Sequence, residues 1–341
     1  MVGHRTQDYW GRPLQDLRIS VMDRCSFRCP YCMPESLYPE EFRFLSGQER
    51  LSFDEIVQIA RVAVQLGVRK LRLTGGEPLL RADLPELITR LASLEGVEDL
   101  ALTTNGVLLP RQALALRQAG LHRVTVSLDA LDPTTFEQMS GGRGRVEQVL
   151  EGIEAARRVN FPKGIKINTV VQRGVNEKDV RPLALYGRQR GIVVRFIEYM
   201  DVGTRNGWQI SDVVRAEDIL ALLSEDGELE RLPSYEQHDV AQRYRYRHDG
   251  SEIGVIASVT SPFCRGCSRA RLSSDGKLHT CLFSAEGFDL RSLLRGQDMF
   301  SLEEVMRSIW QERRDRYSDR RFHQHDKLSS GSRVEMNYIG G

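Results

Sequence analysis

Three closely spaced cysteines are the residues best suited to chemistry in this sequence. Cys25, Cys29 and Cys32 form the pattern CxxxCxxC, directly after residues 17–22, which predict a short strand. Thiolates are soft ligands that bind iron–sulfur clusters and zinc. Three of them can hold three irons of a 4Fe-4S cluster and leave the fourth iron open for a substrate or cosubstrate. A zinc knuckle or three unrelated thiols are the structural alternatives.

A glycine-rich turn follows a second predicted strand at residues 70–73. Gly75, Gly76 and Glu77 stand in the sequence Leu-Thr-Gly-Gly-Glu-Pro-Leu. Paired glycines let the backbone approach a ligand closely, although they also occur in ordinary tight turns. The turn alone is a weak indication of function, and it gains weight from the cysteine motif that precedes it.

A second set of three cysteines has the spacing CxxC, thirteen residues, C. Its members are Cys264, Cys267 and Cys281. Together with His279 they could form a closed Cys₃His zinc site that holds a loop-rich region together. Arg269 and Arg271 favour a catalytic alternative, because guanidinium groups bind phosphates through strong bidentate contacts. A basic strand edge exposed to solvent is the structural alternative for the two arginines.

Composition and charge exclude several classes of protein. The chain has 341 residues, 40% of them hydrophobic, and its 48 basic and 47 acidic residues leave a formal net charge of +1. This balance disfavours nucleic acid or an anionic membrane as the main partner. No apolar run reaches the ~18 residues of a membrane span, and no apolar signal region is seen at the N-terminus. We therefore expect a cytoplasmic protein whose six cysteines bind metal rather than form disulfides.

The elements that must position these motifs alternate along the first two thirds of the chain. Six strands are predicted at residues 17–22, 70–73, 99–103, 124–128, 166–171 and 193–197. Five helices are predicted at residues 53–66, 84–94, 111–119, 146–159 and 180–190. Ser52 and Glu55 predict a capping box at the first helix. The alternation predicts an α/β protein with a parallel sheet, as either a doubly wound sheet or a partial barrel.

The polar motifs share one position, the carboxyl end of a predicted strand, which is where (β/α) barrels carry their active sites. After Met200 the alternation stops, and residues 224–250 are polar and rich in turn residues. We expect an N-terminal arm at 1–16, a barrel domain at 17–205 and a smaller, irregular α+β region at 206–341.

The order of the motifs resembles a known superfamily. CxxxCxxC followed by Gly-Gly-Glu-Pro is typical of radical S-adenosylmethionine (SAM) enzymes. The second cysteine set, its Ser-Arg-Ala-Arg sequence and the terminal Gly340-Gly341 resemble more narrowly the GTP 3′,8-cyclases, or molybdenum cofactor biosynthesis protein A family. The resemblance covers residues 17–341. It implies an incomplete (βα)6 barrel with a smaller C-terminal α+β region that closes its open side.

The resemblance also implies a reaction and its cofactors. A first 4Fe-4S cluster would cleave SAM, and the 5′-deoxyadenosyl radical would take a hydrogen atom from the ribose 3′ carbon of GTP. That carbon would bond to guanine carbon 8, and an electron and a proton would complete (8S)-3′,8-cyclo-7,8-dihydroguanosine 5′-triphosphate. A second 4Fe-4S cluster would hold the guanine base. The enzyme would be a lyase, and it would form a homodimer as members of the family often do. Its electron donor is unidentified. Cyclic pyranopterin monophosphate synthase would act downstream.

Residues are assigned to roles only as the resemblance implies them. The three cysteines of each set would bind one cluster. The SAM site would comprise Tyr31, Gly75, Gly76, Glu77, Ser127 and Met200. The GTP site would comprise Arg18, Arg72, Thr103, Lys166, Arg269, Ala270 and Arg271. Catalytic support would come from Arg18, Gly340 and Gly341.

Each of these assignments has a structural alternative. Arg18 and Arg72 lie in predicted strands and could pair with carboxylates across the barrel, while Thr103 and Ser127 could cap helices. Met200 could fill the core. The terminal glycines could be a frayed end. No phosphate-binding loop of the Gly-x-x-x-x-Gly-Lys-Ser/Thr type occurs in the sequence, so a triphosphate would need other cations.

Two other functions compete with the cyclase. One is a radical SAM enzyme that modifies a peptide and carries an auxiliary cluster, although such enzymes usually have more than three cysteines in that region. The other is a zinc-stabilised nucleic-acid-binding protein, which the near-neutral charge disfavours.

Overall fold

The computed structural model describes residues 6–204, 206–234, 239–296, 301–321 and 333–340. Within them, twelve strands form one sheet. The first six strands are β1 (Asp16–Ser20), β2 (Lys70–Thr74), β3 (Asp99–Thr104), β4 (Arg123–Ser127), β5 (Ile165–Val171) and β6 (Val193–Glu198). The remaining six are β7 (Leu229–Leu232), β8 (Gln242–Tyr246), β9 (Glu252–Ile256), β10 (Arg269–Leu272), β11 (Lys277–His279) and β12 (Phe288–Asp289).

The first six strands are parallel neighbours in chain order, which confirms the predicted α/β partial barrel. The C-terminal region extends this sheet at both edges. β9 pairs parallel with β6, and β10 pairs parallel with β1, so that Arg18 lies opposite Arg271. Antiparallel strands then continue each edge outward.

Helices follow the strands as expected of right-handed crossovers. In the barrel they are α1 (Phe53–Gln65), α2 (Leu84–Ala92), α3 (Leu109–Gln118), α4 (Pro133–Ser140), α5 (Val146–Val159) and α6 (Val180–Arg190). In the C-terminal region they are α7 (Ala216–Ser224), α8 (Leu290–Arg295), α9 (Leu302–Gln311), α10 (Tyr317–Arg320) and α11 (Met336–Ile339). The predicted capping box of Ser52 and Glu55 is present at α1.

Burial follows the layers of the barrel. The strands alternate between apolar side chains that face the helices and polar side chains that face the lumen, as Leu17, Arg18 and Ile19 of β1 show. One continuous hydrophobic cluster fills the space between sheet and helices. The polar side chains needed for chemistry are therefore held on the inner face by a rigid shell.

Two elements differ from the sequence-based expectation. Helix α4 was not predicted, although Asp132 caps it by accepting a hydrogen bond from the backbone nitrogen of Thr135 (2.9 Å). Within the polar segment 224–250, β7 and β8 form an antiparallel pair rather than a series of turns. Among the described helices, none has the length and apolar character that a membrane crossing requires.

Candidate active site

The Gly-Gly-Glu turn packs directly against the loop that carries the first cysteines. The backbone nitrogen of Gly76 donates to the carbonyl of Met22 (2.6 Å), and that of Glu77 donates to the carbonyl of Arg24 (2.8 Å). A Cβ atom on Gly75 or Gly76 would overlap these carbonyls. Glycine is therefore required at both positions, where the Gly-Gly-Glu turn packs against the loop of the first three cysteines.

The carboxylate of Glu77 connects the turn to the end of β3. It accepts hydrogen bonds from the hydroxyl of Thr104 (2.7 Å) and from the backbone nitrogens of Asn105 (2.8 Å) and Leu79 (2.9 Å). Burial raises the pKa of Glu77 to about 7, despite these hydrogen bonds. Asn105 in turn donates to the hydroxyl of Ser26 (2.9 Å), beside Cys25. The contact of Glu77 with SAM stays a prediction.

A first cavity of about 190 Å³ lies at the carboxyl ends of the strands. Among its lining residues are the first three cysteines and every residue assigned to SAM: Cys25, Cys29, Cys32, Tyr31, Gly75, Gly76, Glu77, Ser127 and Met200. The fold thus brings two motifs that are about fifty residues apart, and the ends of β4 and β6, to one space.

Asp129, to which the sequence analysis gave no role, also lines this cavity. Its carboxylate accepts a hydrogen bond from the hydroxyl of Tyr31 (2.7 Å) and another from the backbone nitrogen of Val170 (2.8 Å). Burial raises the pKa of Asp129 to about 6. The pair fixes the aromatic ring between the second and third cysteines of the motif.

A second cavity of about 140 Å³ holds the other cysteine set. Its lining includes Cys264, Cys267, Cys281, Arg18, Arg72, Thr103, Arg269 and Arg271. His279 is not among the lining residues. Its ring lies on the side of Gly287, and burial lowers its pKa to about 4. The Cys₃His zinc alternative therefore lacks its fourth ligand in this structure.

The two cavities meet at a shared wall inside the barrel. Four residues line both of them: Thr103, Asn168, Ile197 and Met200. Two cysteine sets separated by more than 230 residues in sequence thus face neighbouring chambers. Reactants held in the two chambers would be adjacent.

A third cavity, of about 570 Å³, lies at the opposite end of the barrel. Its lining includes the first residues of seven strands: Asp16, Lys70, Asp99, Arg123, Val193, Glu252 and Arg269. It joins the second cavity through residues that line both: Arg18, Arg72, Arg195, Val240 and Arg269. Lys166 lines only this third cavity. The cations assigned to GTP therefore span two connected spaces.

Like charges crowd together along these two cavities. Burial and then the neighbouring Arg195 lower the pKa of Lys166 to about 7, and burial and then Arg269 lower that of Arg271 to about 9. Among the described residues, Arg72 donates to the hydroxyls of Thr103 (3.0 Å) and Thr125 (3.3 Å) and has no carboxylate partner. Mutual repulsion of this kind favours the binding of a polyanion.

Ala270 is the one assigned residue whose side chain the fold turns away from the three cavities. It alternates with Arg269 and Arg271 along β10, and its methyl group belongs to the buried apolar cluster. A contact between Ala270 and substrate would have to involve its backbone.

The C-terminal tail folds back onto the loop after β6. Arg333 forms an ion pair with Asp201 (3.1 Å), and the backbone nitrogen of Thr204 donates to Glu335 (3.0 Å). The tail then continues as α11, and the side chain of Met336 lines the first cavity. The frayed-end alternative does not hold for the described part of the tail.

Gly340 reaches the inner face of the sheet. Its carbonyl accepts a hydrogen bond from Arg271, and a Cβ atom at this position would overlap the side chain of Thr74. Its φ of +70° lies in the region that favours glycine. Gly341 lies outside the described residues.

Comparison with known proteins agrees with this geometry. The family model for the radical SAM superfamily matches residues 19–186, and that for Molybdenum Cofactor Synthesis C matches residues 192–319. A protein named GTP 3′,8-cyclase from Acidothermus cellulolyticus is 49% identical, over 98% of this chain and 99% of the relative. Proteins of the same name from Xanthomonas axonopodis and Staphylococcus carnosus are 51% and 45% identical, each over 98% of both chains.

The chain belongs to the GTP 3′,8-cyclase family.

Solved structures support the radical SAM fold of this family member. The crystal structure of Streptococcus suis SuiB bound to S-adenosylmethionine superposes with a TM-score of 0.60 at 17% sequence identity. The match covers 88% of this chain and 66% of SuiB. At that identity the likeness concerns the fold alone.

The first cavity of this radical SAM family member fits an iron–sulfur cluster and SAM. Burial, and then the charge of Glu77, raise the pKa of Cys25 to about 12, and burial also raises the pKa values of Cys29 and Cys32. Such thiols become thiolates when iron supplies compensating positive charge. All six cysteines are free of disulfides.

The second cysteine set of the family member has a different electrostatic environment. Burial acts to raise the pKa of Cys267, but the guanidinium groups of Arg269 and Arg313 outweigh it and lower the pKa to about 6. Among the described residues, no three histidine, cysteine or acidic side chains converge on a single metal ion.

Proposed function

We propose that this chain is a GTP 3′,8-cyclase, a lyase that uses SAM and two 4Fe-4S clusters. It would convert GTP to (8S)-3′,8-cyclo-7,8-dihydroguanosine 5′-triphosphate, the first step of molybdenum cofactor biosynthesis. The observation that carries the proposal is the shared wall between the two cysteine-lined cavities. Relatives that bear this name are 45–51% identical over nearly the whole chain.

The first cavity would hold the radical-generating cofactors. Cys25, Cys29 and Cys32 would ligate one cluster, and the SAM residues around them would orient SAM against its open iron. When bound, the cluster and SAM supply the radical that removes hydrogen from the substrate. The protein's part is to fix Tyr31 through Asp129 and to hold the reacting groups in place.

The second cavity would hold the guanine end of GTP. Cys264, Cys267 and Cys281 would ligate the second cluster next to the base. Arg18 and Arg72 would then extend from the second cavity toward the third, where Lys166 lies.

The third cavity would receive the triphosphate. GTP carries about four negative charges near neutral pH, and guanidinium groups bind phosphates bidentately. The repulsion among the buried cations would be relieved on binding, so ligand charge and site charge are complementary. Ala270 would contribute through its backbone.

The C-terminal tail would complete the active site. Gly340, Gly341 and Arg18 would support catalysis at the boundary between the SAM and GTP chambers. The hydrogen bond from Arg271 to Gly340 supports this role, because it connects the tail to a residue assigned to GTP.

The remaining partners and divisions are proposed on the family resemblance. They comprise a homodimer, an external electron donor, transfer of the product to cyclic pyranopterin monophosphate synthase, and the division of the chain at residues 1–16, 17–205 and 206–341. A peptide substrate is less compatible with the crowded cations, and a zinc-stabilised nucleic-acid binder is less compatible with His279 outside the second cavity.

The test is the formation of 5′-deoxyadenosine with and without GTP. The protein is purified and reconstituted with iron and sulfide without oxygen, then incubated with dithionite and SAM. We expect GTP to stimulate 5′-deoxyadenosine formation strongly. We also expect mass spectrometry to detect a new product that retains all three phosphates of GTP. SAM cleavage indifferent to GTP would redirect the search to peptides. Zinc without iron in the purified protein would overturn the enzyme assignment.

A further inference from the structure

Three buried charged residues form a network next to the second cysteine set. Asp8 and Arg12 come from the segment before β1, and Arg313 follows α9. The carboxylate of Asp8 accepts from Arg12 at 2.6 Å and from Arg313 at 3.3 Å. The side chains are at most 3% exposed. Buried charges of this kind persist only when they are paired and hydrogen-bonded.

The network contacts both cysteines of the CxxC pair. Arg12 donates to the carbonyl oxygen of Cys264 (2.7 Å). Arg313 donates to the carbonyl oxygen of Cys267 (2.7 Å) and, through its other terminal nitrogen, to the Cys267 sulfur (3.3 Å). One guanidinium therefore fixes the backbone of a ligand residue and its sulfur at the same time.

A further positively charged group lies close to the same sulfur. Arg269 approaches the Cys267 sulfur at 3.6 Å. The second terminal nitrogen of Arg12 is buried without a hydrogen-bond partner in the described structure, and Arg12 lines the second cavity. Asp8 and the partly exposed Asp315, whose carboxylate lies 3.5 Å from Arg313, balance the charges of the two guanidiniums. Arg269 adds a further positive charge beside the sulfur.

We propose that Arg313, held by Asp8 and Arg12, is a positioning residue that raises the reduction potential of the cluster bound to the second cysteine set. The inference rests on the proposed function, because it requires that this set holds a 4Fe-4S cluster. The tuning itself is a separate claim. It states that Asp8 and Arg12, before β1, and Arg313, just after α9, set the potential of that cluster.

The physical reason is the charge of the reduced cluster. One-electron reduction makes the cluster with its thiolates more negative, and the potentials of such clusters depend on net charge and on hydrogen bonds to sulfur. A buried guanidinium that donates to a ligand sulfur stabilises the reduced form more than the oxidised form. A buried carboxylate in the same network has the opposite effect.

The experiment measures the midpoint potential of the second cluster alone. Full-length protein with Cys25, Cys29 and Cys32 replaced by alanine is reconstituted without oxygen and titrated with dithionite through redox mediators. The electron paramagnetic resonance signal of the reduced cluster reports the potential. Iron and sulfide are counted for every variant before titration.

Two substitutions are expected to move the potential in opposite directions. Arg313→Gln removes a positive charge and a sulfur donor, so the potential becomes more negative. Asp8→Asn removes a negative charge at nearly constant volume, so the potential becomes more positive. A purely structural role would not give shifts of opposite sign.

A matched control and a milder variant complete the set. Arg314→Gln removes the same charge from the next residue, which is exposed and lies over the ring of Tyr9, and should leave the potential unchanged. Arg313→Lys keeps the charge but loses the planar pair of donors, and it gives a smaller negative shift. It replaces Arg313→Gln if that variant fails to hold iron.

The outcomes separate the two proposals. If the background protein binds no iron and sulfide, the two-cluster assignment fails. If it binds a cluster whose potential does not change in the Arg313 and Asp8 variants, or changes equally in Arg314→Gln, the tuning role is wrong and the two-cluster assignment stands.

Discussion

The guanidinium of Arg271 donates a hydrogen bond to the backbone carbonyl of Gly340. This contact joins β10, which lies between Cys267 and Cys281 of the second cysteine set, to the C-terminal tail. Because Arg271 also lines the second cavity, the tail and the proposed GTP site share a residue. Substitutions at Arg271 or Gly340 are therefore expected to change GTP binding or conversion more than they change the stability of the fold.

Replacement of Arg271 by alanine should weaken GTP binding. A hydrogen bond to a charged group contributes about 1.5–3 kcal/mol, which corresponds to a loss of affinity of roughly tenfold to a hundredfold. Isothermal titration of the anaerobic protein with GTP measures the effect. Arg231→Ala, at an exposed position of β7, serves as the control and should bind GTP normally. Wild-type affinity in Arg271→Ala would refute the assignment of Arg271 to the GTP site.

Gly340→Ala should keep both clusters and lose cyclisation. The substitution places a methyl group against Thr74 and strains a backbone at φ +70° by about 1–2 kcal/mol. Gly250→Ala is the control, because Gly250 has a similar φ of +74° but no atom near the added methyl group. Equal product yield from the two variants would return the tail to a passive role. Iron content and product by mass spectrometry are the measurements.

GTP affinity should fall as the pH rises above about 7. Burial and the neighbouring arginines lower the pKa of Lys166 to about 7, so its ammonium group loses a proton over this range. Binding of the triphosphate then requires proton uptake, and affinity falls by up to about tenfold per pH unit. Lys166→Arg keeps its charge at every pH tested. Titrations at pH 6.5, 7.5 and 8.5 should show a slope in the wild type that is reduced in the variant.

The two cysteine sets should separate in metal analysis. The reconstituted wild type should contain about eight iron atoms, and Cys267→Ala about four, if each set holds one 4Fe-4S cluster as proposed. Cys267→Ala should still cleave SAM, whereas Cys29→Ala should not. Zinc bound to the second set, or full iron content in Cys267→Ala, would contradict the assignment.

Local patterns were sufficient to predict most of the barrel. All six predicted strands exist with ends within two residues of the prediction, and both motifs lie at the carboxyl ends of their strands. The pattern of apolar and polar residues in these segments reflects their immediate burial, so it can be read without long-range information. Helix α4 could have been found from Asp132 and Pro133, which mark a capped helix start.

Contacts between distant segments could not be predicted. Asp8 and Arg313 are 305 positions apart, and nothing in either local sequence indicates that they pair. The sequence of β8 is as polar as that of a loop. Its outer neighbour in the sheet is the short edge strand β7. His279 is close to Cys281 in sequence, yet its ring lies outside the second cavity. Sequence proximity was a poor guide to the ligand set there.

The pairing of β10 with β1 also affects how the chain matures. Asp16 lies opposite Arg269, so the first strand of the barrel gains its outer neighbour only after about 250 further residues have been made. Such distant pairing forms slowly, because a long loop must close first. A nascent chain can carry the first cysteine motif well before the guanidinium-lined chamber exists. The residues of the first motif are therefore made well before the substrate chamber is complete.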